Sequence, residues 1–288
     1  MSLAFESADT RLVEARDGTR LAVHQLGSGP PLLCIPGGPG RAASYLEDLG
    51  GISDDRTLLL LDNRGTGASE LPADRLSLRL DRLPDDVEDV RVALGLDPVD
   101  VLAHSAGCAV ALLHAARYPS AVRRLVLVTP SGKVFGWTPD DLESIRATRV
   151  TEDWYAEAAD AQAALDENPR LARELEAMTR PFWYARWDER AQTHAAAGKY
   201  QMSLRAYAGF RPEGDYDVHA ARESLRDITA DVQIVVGDGD AVTGVTVADK
   251  YSALLSSCEK VVLVGAGHYP WVDEPGPFRD NVTRFLVA

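Results

Sequence analysis

The stretch VDVLAHSAGCAVALLHAARYP, residues 99–119, constrains this chain more than any other. Val99 to Ala103 reads as a short buried strand, His104-Ser105-Ala106-Gly107 as a tight turn, and the rest as an apolar-rich helix ending at Tyr118-Pro119. A strand that enters a helix through a serine-bearing turn has two readings. The serine can cap the helix, as serines at such junctions commonly do. Alternatively, a sharp turn can lift the hydroxyl above the sheet as a nucleophile, provided small residues flank it where strand and helix nearly touch. Ala103 and Gly107 are small enough, although the first of these positions is more often glycine.

The surrounding chain supplies the context. Arg11–Ala15 and Arg20–Gln25 flank the Asp17-Gly18 turn and read as an antiparallel hairpin. Pro31–Ile35, Thr57–Leu61, Arg124–Thr129, Val232–Val236 and Lys260–Val264 read as further short strands. Helical segments fall between them: Pro84–Leu94, with Asp85 and Asp86 as helix-start charges, Val245–Leu255 and Pro277–Val287. Such alternation implies parallel crossovers, hence an α/β fold with a mostly parallel central sheet flanked by helices. Chemistry in these sheets collects at the carboxyl ends of the strands.

From 133 to 225 the strand rhythm stops and helices alone are expected: Pro139–Ala147, Glu152–Leu165, Pro169–Met178 and Asp188–Tyr200. The expected organisation is therefore a core of residues 1–132 and 226–288 carrying a helical cap at 133–225. Four of the five tryptophans lie in that cap, and Trp183 and Trp187, one helical turn apart, are candidate substrate contacts.

A net charge of -14 argues against nucleic-acid or anionic-membrane partners, which call for basic patches. The N-terminal residues lack the basic-then-apolar pattern of a signal peptide. Cys34, Cys108 and Cys258 are widely spaced in apolar surroundings and read as buried free thiols. These features together suggest a cytoplasmic protein acting on a small molecule or short peptide. No cofactor is expected, since there is no H-E-x-x-H, cysteine-rich metal pattern or dinucleotide fingerprint.

A serine hydroxyl needs a base to take its proton and a third group to orient that base. His268 is the base candidate, because it follows a buried strand through a Gly-Ala-Gly turn that can carry its ring over the sheet edge. His104 adjoins the serine, but neighbours on a sharp elbow point apart. The acid is Asp240 or Asp238; Asp240 lies further past its strand, whereas Asp238 suits a turn hydrogen bond of its own. Donors to a developing oxyanion would be the N–H of Ala106 and one from the glycine loop 36–40, for which Gly38 is the choice.

At this point the chain resembles proline iminopeptidases and related α/β-hydrolases of the same peptidase family. Pro36-Gly37-Gly38-Pro39-Gly40 is similar to their H-G-G-P-G loop, and Asp62 to Ser69 to their D-Q-R-G-x-G-x-S segment. GDGDAVTG at 237–244 resembles their acid loop, and Gly267-His268 with Trp271 to Pro275 their histidine loop. The resemblance implies an α/β-hydrolase fold, an oxyanion hole at Gly38 and Ala106, and a triad in the chain order Ser105, Asp240, His268. It further implies an aminopeptidase acting through an acyl-enzyme, with Glu213 as a match for an amine-binding glutamate.

Three departures set this chain apart: Pro36 opens the glycine loop, the elbow reads A-H-S-A-G-C, and Ala241 stands where some peptidases place glutamate. They keep open an esterase or lactonase on a small apolar acyl substrate. A non-catalytic binding protein on the same scaffold is the third alternative.

Overall fold

The computed structural model describes residues 8–211 and 216–287. Its centre is an eight-stranded sheet: β1 (Asp9–Glu14), β2 (Arg20–Leu26), β3 (Pro31–Ile35), β4 (Thr57–Leu61), β5 (Val99–His104), β6 (Val122–Val128), β7 (Asp231–Gly237) and β8 (Cys258–Leu263). The spatial order is β1-β2-β4-β3-β5-β6-β7-β8. β1 and β2 form the expected hairpin, β2 runs antiparallel to β4, and the remaining pairs are parallel. The chain steps from β3 to β4 on one side and then to β5 on the other. Order therefore reverses between β3 and β5, which is where a crevice opens in such sheets.

The inner parallel strands β3, β4, β5 and β7 are buried on both faces over most of their length, which explains their apolar sequences. By contrast β8, expected as a buried strand before His268, is an edge strand and largely exposed because it has a partner on one side only. Leu33, Ile35, Val101 and Ala103 join one buried cluster, whereas Leu32, Cys34, Leu58, Leu60 and Leu102 join the other. Alternate residues thus feed opposite faces. Helix α1 (Leu83–Ala93) and helix α2 (Gly107–Arg117) cover the first face, and the C-terminal helix Pro275–Val287 covers the second.

One polar anchor interrupts this core. Asp100, wholly buried in β5, accepts from Arg56 Nη1 at 3.0 Å and from Arg123 Nε at 2.8 Å. Arg56 also donates to the Leu286 carbonyl at 2.8 Å, tying the C-terminal helix to two strands. Asp86 stands in the first turn of α1 as its reading as a helix-start charge requires, and it is also a second anchor. It is buried and takes Arg64 Nε at 2.6 Å, so it fastens α1 to the loop after β4.

Between β6 and β7 the described elements are helical only, as the loss of strand rhythm predicts. They include α3 (Leu142–Ala147), α4 (Tyr155–Glu167), α5 (Ala172–Thr179), α6 (Glu189–Gln201), α7 (Leu204–Gly209) and α8 (Val218–Ser224). The last two are short and carry no sequence periodicity long enough to register. Phe135, Phe210, Ala221 and Leu225 join the buried cluster of the sheet, so both ends of the insertion are bedded in the core. Among the described residues no helix is long and apolar enough to cross a membrane.

Candidate active site

Ser105 sits directly after β5 with φ of 53°, a left-handed conformation that non-glycine residues rarely adopt. Its N–H donates to the Val128 carbonyl at 2.9 Å, which holds the turn against β6. Helix α2 begins at Gly107 with Ala106 at the capping position and no side-chain cap bond. The serine hydroxyl is therefore not spent on capping. Backbone strain at a helix entrance, with the side chain left free for other work, is a common property of functional turns.

That hydroxyl donates instead to His268 Nε2 at 3.1 Å. On the far side of the ring, Nδ1–H donates to Asp240 Oδ2 at 3.1 Å. Asp240 has no exposed surface, and its four acceptor directions are filled: Val242 N–H at 2.9 Å and Thr243 N–H at 3.1 Å on Oδ1, and the Thr243 hydroxyl at 2.5 Å alongside His268 on Oδ2. Burial pushes its pKa up, but the nearby His268 and these hydrogen bonds outweigh burial and hold the carboxyl below its ordinary value. An ionised Asp240 can only accept, which places the proton on Nδ1 and leaves Nε2 to face the serine. Asp238 does what a turn aspartate does, accepting from Gly265 N–H at 2.8 Å on the exposed side.

The glycine loop after β3 lies against the elbow. A methyl group on Gly37 would stand 2.6 Å from the His104 carbonyl and 2.9 Å from Ser105 Cβ, so only glycine allows this approach. Gly38 has φ of 120°, which also excludes a side chain. Among the described residues, neither the Gly38 nor the Ala106 N–H donates to another protein group. The Asp62 loop buttresses this arrangement from below: Asp62 accepts from Ala43 N–H at 2.7 Å and Ala68 N–H at 2.8 Å.

Backbone contacts from the inserted segment reach both sides of the site. The His268 N–H donates to the Trp183 carbonyl at 2.8 Å. Buried Asp273 accepts from Gly267 N–H at 2.7 Å and Ala185 N–H at 3.0 Å, clamping insertion and histidine loop together. Near the glycine loop, Arg41 pairs with Met202 in an antiparallel bridge, flanked by Ala42 N–H to Gln201 O and Ser203 N–H to Gly40 O, each 2.9 Å. The Arg41 guanidinium continues the link, giving Nε at 3.0 Å and Nη2 at 2.8 Å to Gln201 Oε1. The sequence carries no signal for these pairings, because some 160 residues separate their partners.

The tryptophan expectation needs correcting. Trp183 ends a 3₁₀ turn begun by Arg180-Pro181, and residues 184–187 lie outside any helix, bonded to the histidine loop. The two indoles therefore share no helical face. Trp183 lies edge-on to His268, ring centroids 6.2 Å apart, whereas Trp187 packs on Tyr184 at 5.6 Å. Glu213 lies outside the described residues. Cys34 and Cys108 are buried as expected, and Cys258, on the edge strand, is only partly so.

Residues 30–275 match the family model described as the alpha/beta hydrolase fold. A protein named proline iminopeptidase from Heyndrickxia coagulans is 25% identical over 270 residues, spanning 90% of this chain and 91% of that protein. The crystal structure of proline iminopeptidase from Mycobacterium smegmatis superposes with a TM-score of 0.76 at 20% identity, covering 97% of this chain and 98% of the other. An esterase structure from Exiguobacterium antarcticum gives 0.71 at 20% identity, with coverages of 96% and 99%. At such identities the structures speak to fold. The family model, spanning most of the sequence, goes further: the chain belongs to the α/β-hydrolase family.

Proposed function

We propose that this protein is a serine hydrolase working through an acyl-enzyme. The observation that carries the reading is the unbroken line from Ser105 Oγ through His268 to Asp240, 3.1 Å at each step. In the forward step Ser105 attacks a carbonyl carbon while His268 Nε2 takes its proton and Asp240 stabilises the imidazolium. The N–H groups of Gly38 and Ala106 receive the oxyanion. His268 then returns the proton to the departing alcohol or amine, and water repeats the sequence to release the acid. The inserted helices serve as a cap over residues 105 and 268.

For the substrate, the surroundings of the acid loop favour an ester or lactone of a small apolar acid. Ala241 packs in a buried cluster with Ile145, Ala158 and Phe182, bordered by Trp154 and Trp183. The charge that the same part of the insertion brings to this loop is positive: buried Arg149 donates to the Gly239 carbonyl at 2.6 Å. A free ammonium group is poorly matched to an apolar wall beside a guanidinium. The second reading is an aminopeptidase cleaving N-terminal proline, supported by the relative that bears that name.

Turnover of p-nitrophenyl acetate and butyrate against proline p-nitroanilide separates the two. Ester cleavage with no anilide cleavage supports the first reading, and efficient anilide cleavage overturns it in favour of the second. Loss of serine-directed fluorophosphonate labelling in Ser105→Ala, with activity down by at least about 10³-fold, is expected of either. An unlabelled wild-type protein would overturn both.

A further inference from the structure

We propose that Tyr45 and His104 are positioning residues, which hold the glycine loop and the backbone of His268 in register through one directional chain of hydrogen bonds. This rests on the serine-hydrolase reading and adds to it two side chains that touch no reacting atom.

His104 ends β5 and immediately precedes Ser105. From the left-handed turn at Ser105 both side chains reach His268, the serine through its hydroxyl and His104 through its ring. The His104 ring is buried, packed 4.7 Å from the His268 ring and 4.9 Å from that of Trp271. Its Nε2 lies 2.9 Å from the His268 carbonyl, and its Nδ1 lies 2.7 Å from the Tyr45 hydroxyl. The Gly37 N–H donates to that same hydroxyl at 2.7 Å.

The proton positions in this chain are dictated by its ends. A backbone carbonyl only accepts, so His104 must carry its proton on Nε2 and present a bare Nδ1. Tyr45 must then donate to Nδ1, which frees its oxygen lone pair for the Gly37 N–H. Protons thus run one way, from Gly37 through Tyr45 and His104 to the carbonyl of His268. Burial, reinforced by the neighbouring His268, keeps His104 well below the usual histidine range and therefore in the neutral form this direction needs. Tyr45 is itself wholly buried, with the Arg41 guanidinium 4.2 Å above its ring.

The two ends matter because of what they join. Gly37 is pressed against Ser105 and Ala106 and precedes Gly38, so its placement sets where the proposed oxyanion donors stand. The His268 backbone is held at its carbonyl by His104 and by the Thr129 hydroxyl at 3.1 Å. Satisfying buried polar groups would require only that each find some partner. Here the partners connect the two halves of the site, and displacements of about 1 Å in such halves cost on the order of 10²-fold in rate.

Tyr45→Phe tests this while keeping the ring and its stacking with Arg41. Activity on p-nitrophenyl acetate is measured per active site, counted by fluorophosphonate titration, so that misfolded protein does not enter the rate. The expected result is a fall in kcat of about 10- to 100-fold with KM within about 2-fold. Affinity for a trifluoromethyl ketone, which forms a tetrahedral adduct on serine, should fall by the same factor. His104→Gln, whose amide can still donate toward the His268 carbonyl, should retain more activity than His104→Phe. The Tyr45→Phe/His104→Phe double variant should be no slower than the slower single, because both cut one chain.

Wild-type kcat per titrated site in Tyr45→Phe, or losses that multiply in the double variant, would overturn the proposal. Should Tyr45→Phe fail to fold, the His104→Gln and His104→Phe comparison decides alone, equal activities counting against it. Failure of fluorophosphonate to label the wild type strikes the hydrolase reading instead.

Discussion

The hydroxyl of Thr243 donates to Asp240 Oδ2 at 2.5 Å, the oxygen that also faces His268. A hydrogen bond to a buried charge contributes about 1.5–3 kcal/mol. Thr243→Val keeps the shape and removes that bond, so Asp240 orients the imidazole less well. The expected outcome is a loss of about 10- to 100-fold in kcat with the fold intact. Steady-state kinetics beside a thermal melt checks it; unchanged kcat would show that the two backbone N–H groups on Oδ1 suffice.

The Gly37 contact makes a sharper prediction. Gly37→Ala would put Cβ 2.6 Å from the His104 carbonyl, a backbone atom that cannot swing aside. Fluorophosphonate labelling of Ser105 should slow by about 10²-fold or more, given the cost of misplacing reacting groups by an ångström. Labelling rate against far-UV circular dichroism separates a displaced site from an unfolded chain.

Asp100 is a stability site and not a chemical one. Asp100→Ala leaves the guanidinium of Arg56 buried without its carboxylate, at a cost of about 3–5 kcal/mol. Asp100→Leu with Arg56→Met, which removes both charges, should recover most of that. Urea denaturation of the three proteins is the measurement, and a single variant within about 1 kcal/mol of wild type would contradict the assignment.

His194 links stability to acid. Burial, and then the nearby Arg41 and Arg190, push its pKa down to about 3, while Tyr184 donates to Nδ1 and Nε2–H donates to the Tyr45 carbonyl at 2.9 Å. Unfolded, the same ring titrates at about 6.5. Between these values the unfolded chain binds the extra proton, so the contribution is intact above about pH 6.5 and declines as pH falls toward 3. Wild-type stability should drop through that window by up to about 1.4 kcal/mol per pH unit from this residue. In His194→Asn the slope should flatten, and identical slopes in the two proteins would refute it.

Much of this was legible because it is local. A strand buried on both faces announces itself as an apolar run, and Ser105 and Asp240 each follow such a run at a turn, while His268 follows the exposed edge strand β8. The strand at Pro31–Ile35 and that at Thr57–Leu61 stand where the pattern places them. What escaped the sequence is pairing over distance. Asp86 looked like dipole compensation alone because nothing local shows that Arg64 packs beside it. Trp183 and Trp187 looked like one helical face because their spacing fits a helical turn, while backbone bonds to the histidine loop hold residues 184–187 out of helix. Tyr45 carries no motif at all; its importance emerges only where Gly37 and His104 converge on its hydroxyl.

The bridge between Arg41 and Met202 bears on how such a molecule can be rebuilt. Insertions of this kind invite exchange between relatives as a way to graft new selectivity onto an old floor. Here residues 201–203 are stitched to the glycine loop main chain to main chain, and Gln201 accepts the Arg41 guanidinium besides. A transplanted insertion lacking that stitch would leave the Gly40 carbonyl without its Ser203 donor and Arg41 with only the Tyr269 hydroxyl as acceptor. The natural unit of exchange is therefore the insertion together with residues 38–42, a chimera with four seams, two between β3 and β4 and two between β6 and β7, and not the insertion alone.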